Sequence, residues 1–162
     1  MQDAMTLYFN GEKNAGLLLA GAAAAVLLLA IIIFRATPDL RSFAITLAVV
    51  ALAELALGAG LYLRTGPQVS GLSRQLASDQ VAFLQTESAR MTRVQRNFVV
   101  IEYVELAIIA VATLVAVTYK ARAAVSGIAL GMLIHASLLL AFDVIAERRG
   151  GVYVSSLAAA RA

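Results

Sequence analysis

Four runs of apolar residues limit what this chain can fold into more than any other feature. Each run is close to the roughly 20 residues that an α-helix needs to cross about 30 Å of hydrocarbon. They predict transmembrane helices at residues 15–34, 43–63, 98–119 and 123–146. The first run is longer than the usual core of a signal peptide, and Asp3 and Glu12 precede it with a single lysine. We therefore expect it to be retained as a span.

The composition agrees with a bilayer as the solvent of this chain. Of its 162 residues, 61% are hydrophobic and 14% are charged, whereas soluble domains carry about 25% charged residues. The pI of 9.6 would suggest nucleic acid in a soluble protein, but the basic residues flank the spans and are better explained as phospholipid contacts. The absence of cysteine excludes disulfides, thiolate metal ligands and cysteine nucleophiles. The lipid bilayer is thus an expected partner, and nucleic acid is not.

The connection between the second and third spans is the one sizeable segment outside them. Pro67 suits the first turn of a helix, and neither proline nor glycine occurs between Gly71 and Gly127. This pattern predicts one helix over about 72–119, roughly 70 Å long, that projects from the bilayer. Two helices with a bend near Asn97 are the alternative. The predicted fold is an all-α integral membrane protein, a four-transmembrane-helix bundle forming a single domain over 1–162, with segment 65–97 outside the membrane.

The distribution of basic residues predicts an orientation. Four spans return the chain to its starting side, and nine of the thirteen basic residues fall on the side of the termini. The positive-inside rule then places both termini and segment 65–97 in the cytoplasm of a cell with an inner (plasma) membrane. The nine residues are Lys13, Arg64, Arg74, Arg90, Arg93, Arg96, Arg148, Arg149 and Arg161; the four on the opposite side are Arg35, Arg41, Lys120 and Arg122.

Several ionisable residues lie inside the predicted spans, where no lysine or arginine does. Charged groups at the centre of a bilayer are costly and usually functional. At a rise of about 1.5 Å per residue, counted from the side of segment 65–97, three of these residues lie at similar depths in the bilayer and two lie closer to its surface. We expect one proton to be shared between the two deep glutamates, because like charges in that medium do not both persist. The deep residues are Glu54, Glu105 and His135, and the shallower ones are Glu102 and Asp143.

Small residues predict how the spans pack. Gly127 and Gly131 precede His135 at intervals of four residues, and Gly58 follows Glu54 at the same interval. Small residues allow helices to approach closely in membranes. The polar residues on these stripes are therefore expected to face the bundle interior.

No sequence motif points to catalysis. The chain has no glycine-rich phosphate loop, no His-x-x-x-His pair and no Gly-x-Ser-x-Gly elbow. The pair Glu102-x-x-Glu105 with Glu54 and His135 is similar to carboxylate-rich di-metal bundles, but the second Glu-x-x-His pair of such sites is missing. We therefore predict no catalytic residue, no metal and no cofactor.

Three functional hypotheses remain, and an accessory subunit ranks first. In it, the projecting helix docks a partner protein or a second copy through Leu76, Leu84 and Met91, an apolar stripe that a lone helix leaves exposed. The alternative is a small proton- or cation-coupled transporter or channel that uses Glu54, Glu105 and His135. A metal-dependent membrane enzyme is third. The arginines expected to contact lipid headgroups are Arg90, Arg93 and Arg96.

Overall fold

A computed structural model describes residues 1–161, all of which are organised around four long helices. Each of these helices is long and apolar enough to cross a membrane, as the sequence predicts. A single 3-10 turn, Pro38–Leu40, separates the first two. The helices are α1 (Gln2–Ala36), α2 (Arg41–Ser78), α3 (Gln80–Thr118) and α4 (Ala123–Ala159).

The prediction of one helix over 72–119 is wrong, because the helix is interrupted at Asp79. The backbone there is extended (φ −152°, ψ 93°), and the Asp79 side chain accepts a hydrogen bond of 2.9 Å from the N–H of Ala82, which caps α3. The predicted alternative, a bend near Asn97, does not occur, since α3 is continuous from Gln80 to Thr118. The corner at Asp79 thus reverses the direction of the chain, and α3 runs antiparallel to α2.

Pro67 does not begin a helix but lies within α2. An internal proline removes one backbone hydrogen bond and usually ends a helix. Here α2 continues past it because its second half packs on the rest of the chain. Val69, Leu72 and Leu76 lie against a hydrophobic core, and Ser73 accepts a hydrogen bond of 3.0 Å from Gln2. Tertiary packing has overridden the local signal.

The helices pack as two hairpins joined through α2 and α4. The most extensive contacts are between α1 and α2 and between α3 and α4, and α2 with α4 comes next. Over residues 1–161, no backbone contact joins α1 to α3. Because α2 and α4 both run away from their short connections, they are parallel to one another, and α1 and α3 lie on the outer sides of this pair.

Glycines make the close contacts in this arrangement. A Cβ added at Gly58 would lie 2.6 Å from the carbonyl oxygen of Gly16, and one added at Gly131 would lie 2.8 Å from Cγ2 of Thr46. A Cβ at Gly127 would likewise meet Ser42 and Phe43. Gly58 thus allows α2 to pack closely against α1, while Gly127 and Gly131 allow α4 to pack closely against α2.

Each helix passes through two regions of different character. One region, here called the apolar half, comprises residues 15–36, 41–63, 98–118 and 123–146, and most of the exposed large hydrophobic side chains lie in it. The other, here called the polar half, comprises residues 1–14, 64–97 and 147–161. It encloses a core of large side chains: Met5, Tyr8, Phe9, Phe83, Leu84, Met91, Tyr153 and Leu157.

The contact at Gly58 predicts a position-specific effect on stability. Gly58→Val should destabilise the protein by about 1–3 kcal/mol, because overpacking forces the backbones of α1 and α2 apart. Gly60→Val is the matched control, since nothing lies within 4 Å of a Cβ at Gly60. Thermal unfolding in detergent would measure both. Equal melting temperatures for the two variants would contradict the packing described here.

Candidate functional site

The most buried polar contact of the apolar half joins α2 to α4. Nδ1 of His135 lies 2.8 Å from Oε1 of Glu54, a hydrogen bond in which the imidazole N–H donates when the carboxyl group is ionised. Both side chains are buried. Gly127 and Gly131 lie two turns and one turn, respectively, before His135 on α4, and they bring its helix close enough for this contact. Nε2 of His135 is buried and has no partner within residues 1–161.

A second group of polar side chains lies between α3 and α4. The carboxyl groups of Glu105 and Asp143 are within hydrogen-bonding reach of each other. Glu102 lies within electrostatic range of Asp143 and of Glu147. The Glu105 side chain is 5% exposed, and its Oε2 makes no hydrogen bond to any described residue. The three ion pairs found in residues 1–161 are elsewhere.

The two deep glutamates therefore do not form the expected pair. Glu54 contacts His135 and Glu105 contacts Asp143. The cause is the direct contact of α2 with α4, which is more extensive than the contact of α2 with α3. A proton shared between Glu54 and Glu105 was thus the wrong prediction, although each glutamate does have an ionisable neighbour.

The predicted docking stripe is also placed differently from the expectation. Met91 is completely buried and Leu84 nearly so, and Leu76 packs against the same core. The prediction that this stripe is left exposed is wrong, because α1 and α4 extend beyond the apolar half and cover it. The missed signal was the spacing of apolar side chains at both ends of the chain: Met5, Tyr8 and Phe9, and Tyr153 and Leu157.

Arg90 lies at the edge of the same core, with its side chain 31% exposed. It makes two hydrogen bonds of 2.7 Å to the carboxylate of Glu87, which is 1% exposed. Its guanidinium also lies 5.5 Å from the ring centroid of Phe9. Burial alone would lower the pKa of Arg90, but the hydrogen bonds and charge of Glu87 outweigh it and raise the pKa. Arg93 and Arg96, by contrast, are exposed.

Glu87 is the functional-site candidate that the sequence interpretation missed. Its spacing of three residues from Arg90 on one helix is the signal that could have revealed the pair. Tyr8 stacks on Tyr153 beside it, with ring centroids 4.9 Å apart. Burial, with a smaller effect of Glu12, raises the pKa of Tyr8 to about 12. Tyr8 is therefore neutral at physiological pH, and the Glu87–Arg90 pair sits in an aromatic core.

Two open grooves lie between the helices of the apolar half, and both are lined mainly by apolar side chains. The larger, about 560 Å³, runs between α3 and α4 from Val104 to Val115 on one wall and from Val125 to Met132 on the other. The smaller, about 300 Å³, lies between α2 and α4 near Thr46. Neither groove is lined by the buried acids or by His135.

No group of three or more metal-ligating side chains is assembled anywhere in residues 1–161. No protein-family model, no curated protein and no solved structure matches this chain. Its function therefore rests on the geometry of its own residues.

The burial of Met91 predicts an effect on folding rather than on docking. Met91→Asp would place an unpaired charge in the core of the polar half and should cost several kcal/mol. Val81→Asp on the same helix is the control, because Val81 is 67% exposed. Chemical unfolding and limited proteolysis in detergent would compare them. A Met91→Asp protein that unfolds as the wild type does would show that this side chain is not in the core.

The contact between Glu54 and His135 predicts strong coupling between the two positions. Glu54→Leu alone should cost about 1–3 kcal/mol, because it leaves a buried imidazole without its partner. Adding His135→Leu should recover part of that loss. A double-mutant cycle of unfolding free energies measures the coupling, expected between about 0.5 and 3 kcal/mol. Additive effects of the two substitutions would mean that the pair contributes nothing as a pair.

Proposed function

We propose that this chain is a multi-pass integral membrane protein whose apolar half crosses an inner (plasma) membrane. Its polar half would then project into the cytoplasm, with both ends of the chain and the corner at Asp79. The exposed hydrophobic surface of the apolar half supports the membrane assignment, and the excess of basic residues in the polar half supports the orientation.

Within that membrane, the function we propose is that of a non-enzymatic subunit that binds another membrane protein through α3. One contrast carries this proposal. In the apolar half α1 and α3 are equally poorly buried, yet only α3 has carboxyl groups there, Glu102 and Glu105. Glu105 is buried beside Asp143 of α4, neither side chain forms an ion pair within residues 1–161, and the insertion of such groups costs roughly 2.5–3.5 kcal/mol each. A protein partner on α3 would account for them.

Transport by this chain alone has less support. A proton or cation pathway needs polar groups around a cavity that opens to water. Glu54 and His135 form a closed contact between α2 and α4, whereas Glu105 contacts Asp143 instead. The grooves beside them are apolar. A metal-dependent enzyme has no ligand cluster to rest on in residues 1–161.

Site-specific photocrosslinking in native membranes tests the subunit proposal. A photoreactive amino acid at Leu114, an exposed position on α3, should give a discrete protein adduct. The matched control is Leu28 on α1, which is equally exposed; it should crosslink to lipid only. Gel mobility and mass spectrometry would identify the products.

Two results would contradict the proposal. Lipid adducts alone at Leu114, repeated at the neighbouring groove position Val111, would mean that α3 faces the bilayer. Equal protein adducts at Leu114 and Leu28 would mean that the contacts reflect crowding rather than a binding face.

A further inference from the structure

The seam between α3 and α4 holds three acids in the apolar half and no base. Glu102, Glu105 and Asp143 form this acidic seam, and the next charge within its range, Glu147, is also negative. By contrast, the other two buried carboxylates of the described chain have partners with N–H donors: Glu54 contacts His135, and Glu87 binds Arg90. The acidic seam is therefore the one of these three settings in which the buried carboxyl group has no N–H donor among the described residues.

A shared proton does not complete the acidic seam. It can join Glu105 to Asp143, but Oε1 of Glu102 is buried and has no partner within residues 1–161. A buried polar atom without a hydrogen bond is destabilising. None of the described residues supplies this oxygen with a donor.

The larger groove leads directly away from the acidic seam. Its α3 wall begins at Val104, next to Glu105, and ends at Val115, so it extends about 16 Å along the helix. It is open along its side and lined by apolar residues. In hydrocarbon, an α-helix satisfies all of its own backbone hydrogen bonds, which an extended or irregular segment does not. The occupant that suits a long apolar groove in this setting is a helix.

A second copy of this chain is the wrong occupant on grounds of charge. No lysine or arginine lies within residues 15–34, 43–63, 98–118 or 123–146. If two copies paired through this groove, the second copy would place apolar side chains and further carboxyl groups against the acidic seam. It would not add a basic side chain. Like charges in such a medium repel strongly.

We propose that a transmembrane helix of another protein lies in the groove between α3 and α4 and places a lysine or arginine against Glu102, Glu105 and Asp143. This rests on the subunit function proposed above and adds the chemistry of the partner. The basic side chain supplies an N–H donor to the unpartnered oxygen of Glu102 and neutralises the seam. The apolar remainder of the helix covers the walls of the groove.

The test uses purified full-length protein in liposomes and synthetic transmembrane peptides. The probe is a leucine-rich peptide of about 22 residues with one lysine at the depth of Glu105; a matched peptide has leucine there. An acceptor dye on each peptide and a donor dye at Lys120→Cys, beyond the end of α3, report association by energy transfer. We expect the lysine peptide to associate at least about tenfold more tightly, which is about 1.4 kcal/mol.

Paired protein variants decide whether the acidic seam is responsible. Glu105→Gln with Asp143→Asn should abolish the preference for the lysine peptide, while Glu54→Gln, at the other buried carboxylate of the apolar half, should retain it. Unfolding curves of all three proteins establish that they are folded; if the double variant is not, Glu102→Gln replaces it and should weaken the preference. Equal binding of both peptides to the wild type, or an unchanged preference in the folded seam variants, overturns the proposal.

The crosslink at Leu114 separates this inference from the subunit proposal. Undiminished crosslinking by the seam variants in native membranes would leave the α3 partner in place but remove its basic residue. Loss of the adduct at Leu114 in the wild type would remove the partner altogether. An adduct of twice the mass of this chain would identify a second copy as the occupant and would also overturn the inference.

Discussion

The parallel contact between α2 and α4 determines the remaining architecture of this protein. Gly127 and Gly131 allow the two backbones to approach, and the buried hydrogen bond between Glu54 and His135 fixes their register. A slip by one turn would leave both polar groups unpaired in an apolar setting, which costs more than the packing of a few small residues gains. With α2 and α4 held together, α1 and α3 can only take the outer sides.

In the polar half, the main constraint is the burial of large side chains. The four helices continue beyond the apolar half and there enclose large side chains that would otherwise be exposed. The pair of Glu87 and Arg90 within this core is fully hydrogen-bonded on its carboxylate side. Such a pair contributes less to stability than an apolar core of the same volume, but removal of either partner is costly. The pair lies within α3, and the contact of Arg90 with the ring of Phe9 connects it to α1.

Much of the helical content, and few of the long-range partners, could be predicted from the sequence. Runs of apolar residues define the four helices because length and hydropathy are local properties. The break at Asp79 was missed because the local signals at Pro67 and Gly71 are stronger, and only packing on α1 outweighs them. The partners of Glu54 and Glu105 depend on which helices adjoin, a property of the whole assembly. The count of residues along each helix placed Glu54 and Glu105 at similar depths, but it does not determine which residue each one contacts.

The absence of any break where the helices pass from the apolar to the polar half has a mechanical consequence. α3 is a single rod from Gln80 to Thr118, with Met91 and Glu87 at one end and Glu105 in the other half. A helix of this kind has no hinge, so a rotation about its long axis at one end is transmitted to the other. Any occupant that turned α3 in the groove would also shift Glu87 and Arg90 against the stacked rings of Tyr8 and Tyr153. A rotation of α3 near Glu105 would thus change the packing of the aromatic core more than 20 Å away along the helix, at a rise of about 1.5 Å per residue.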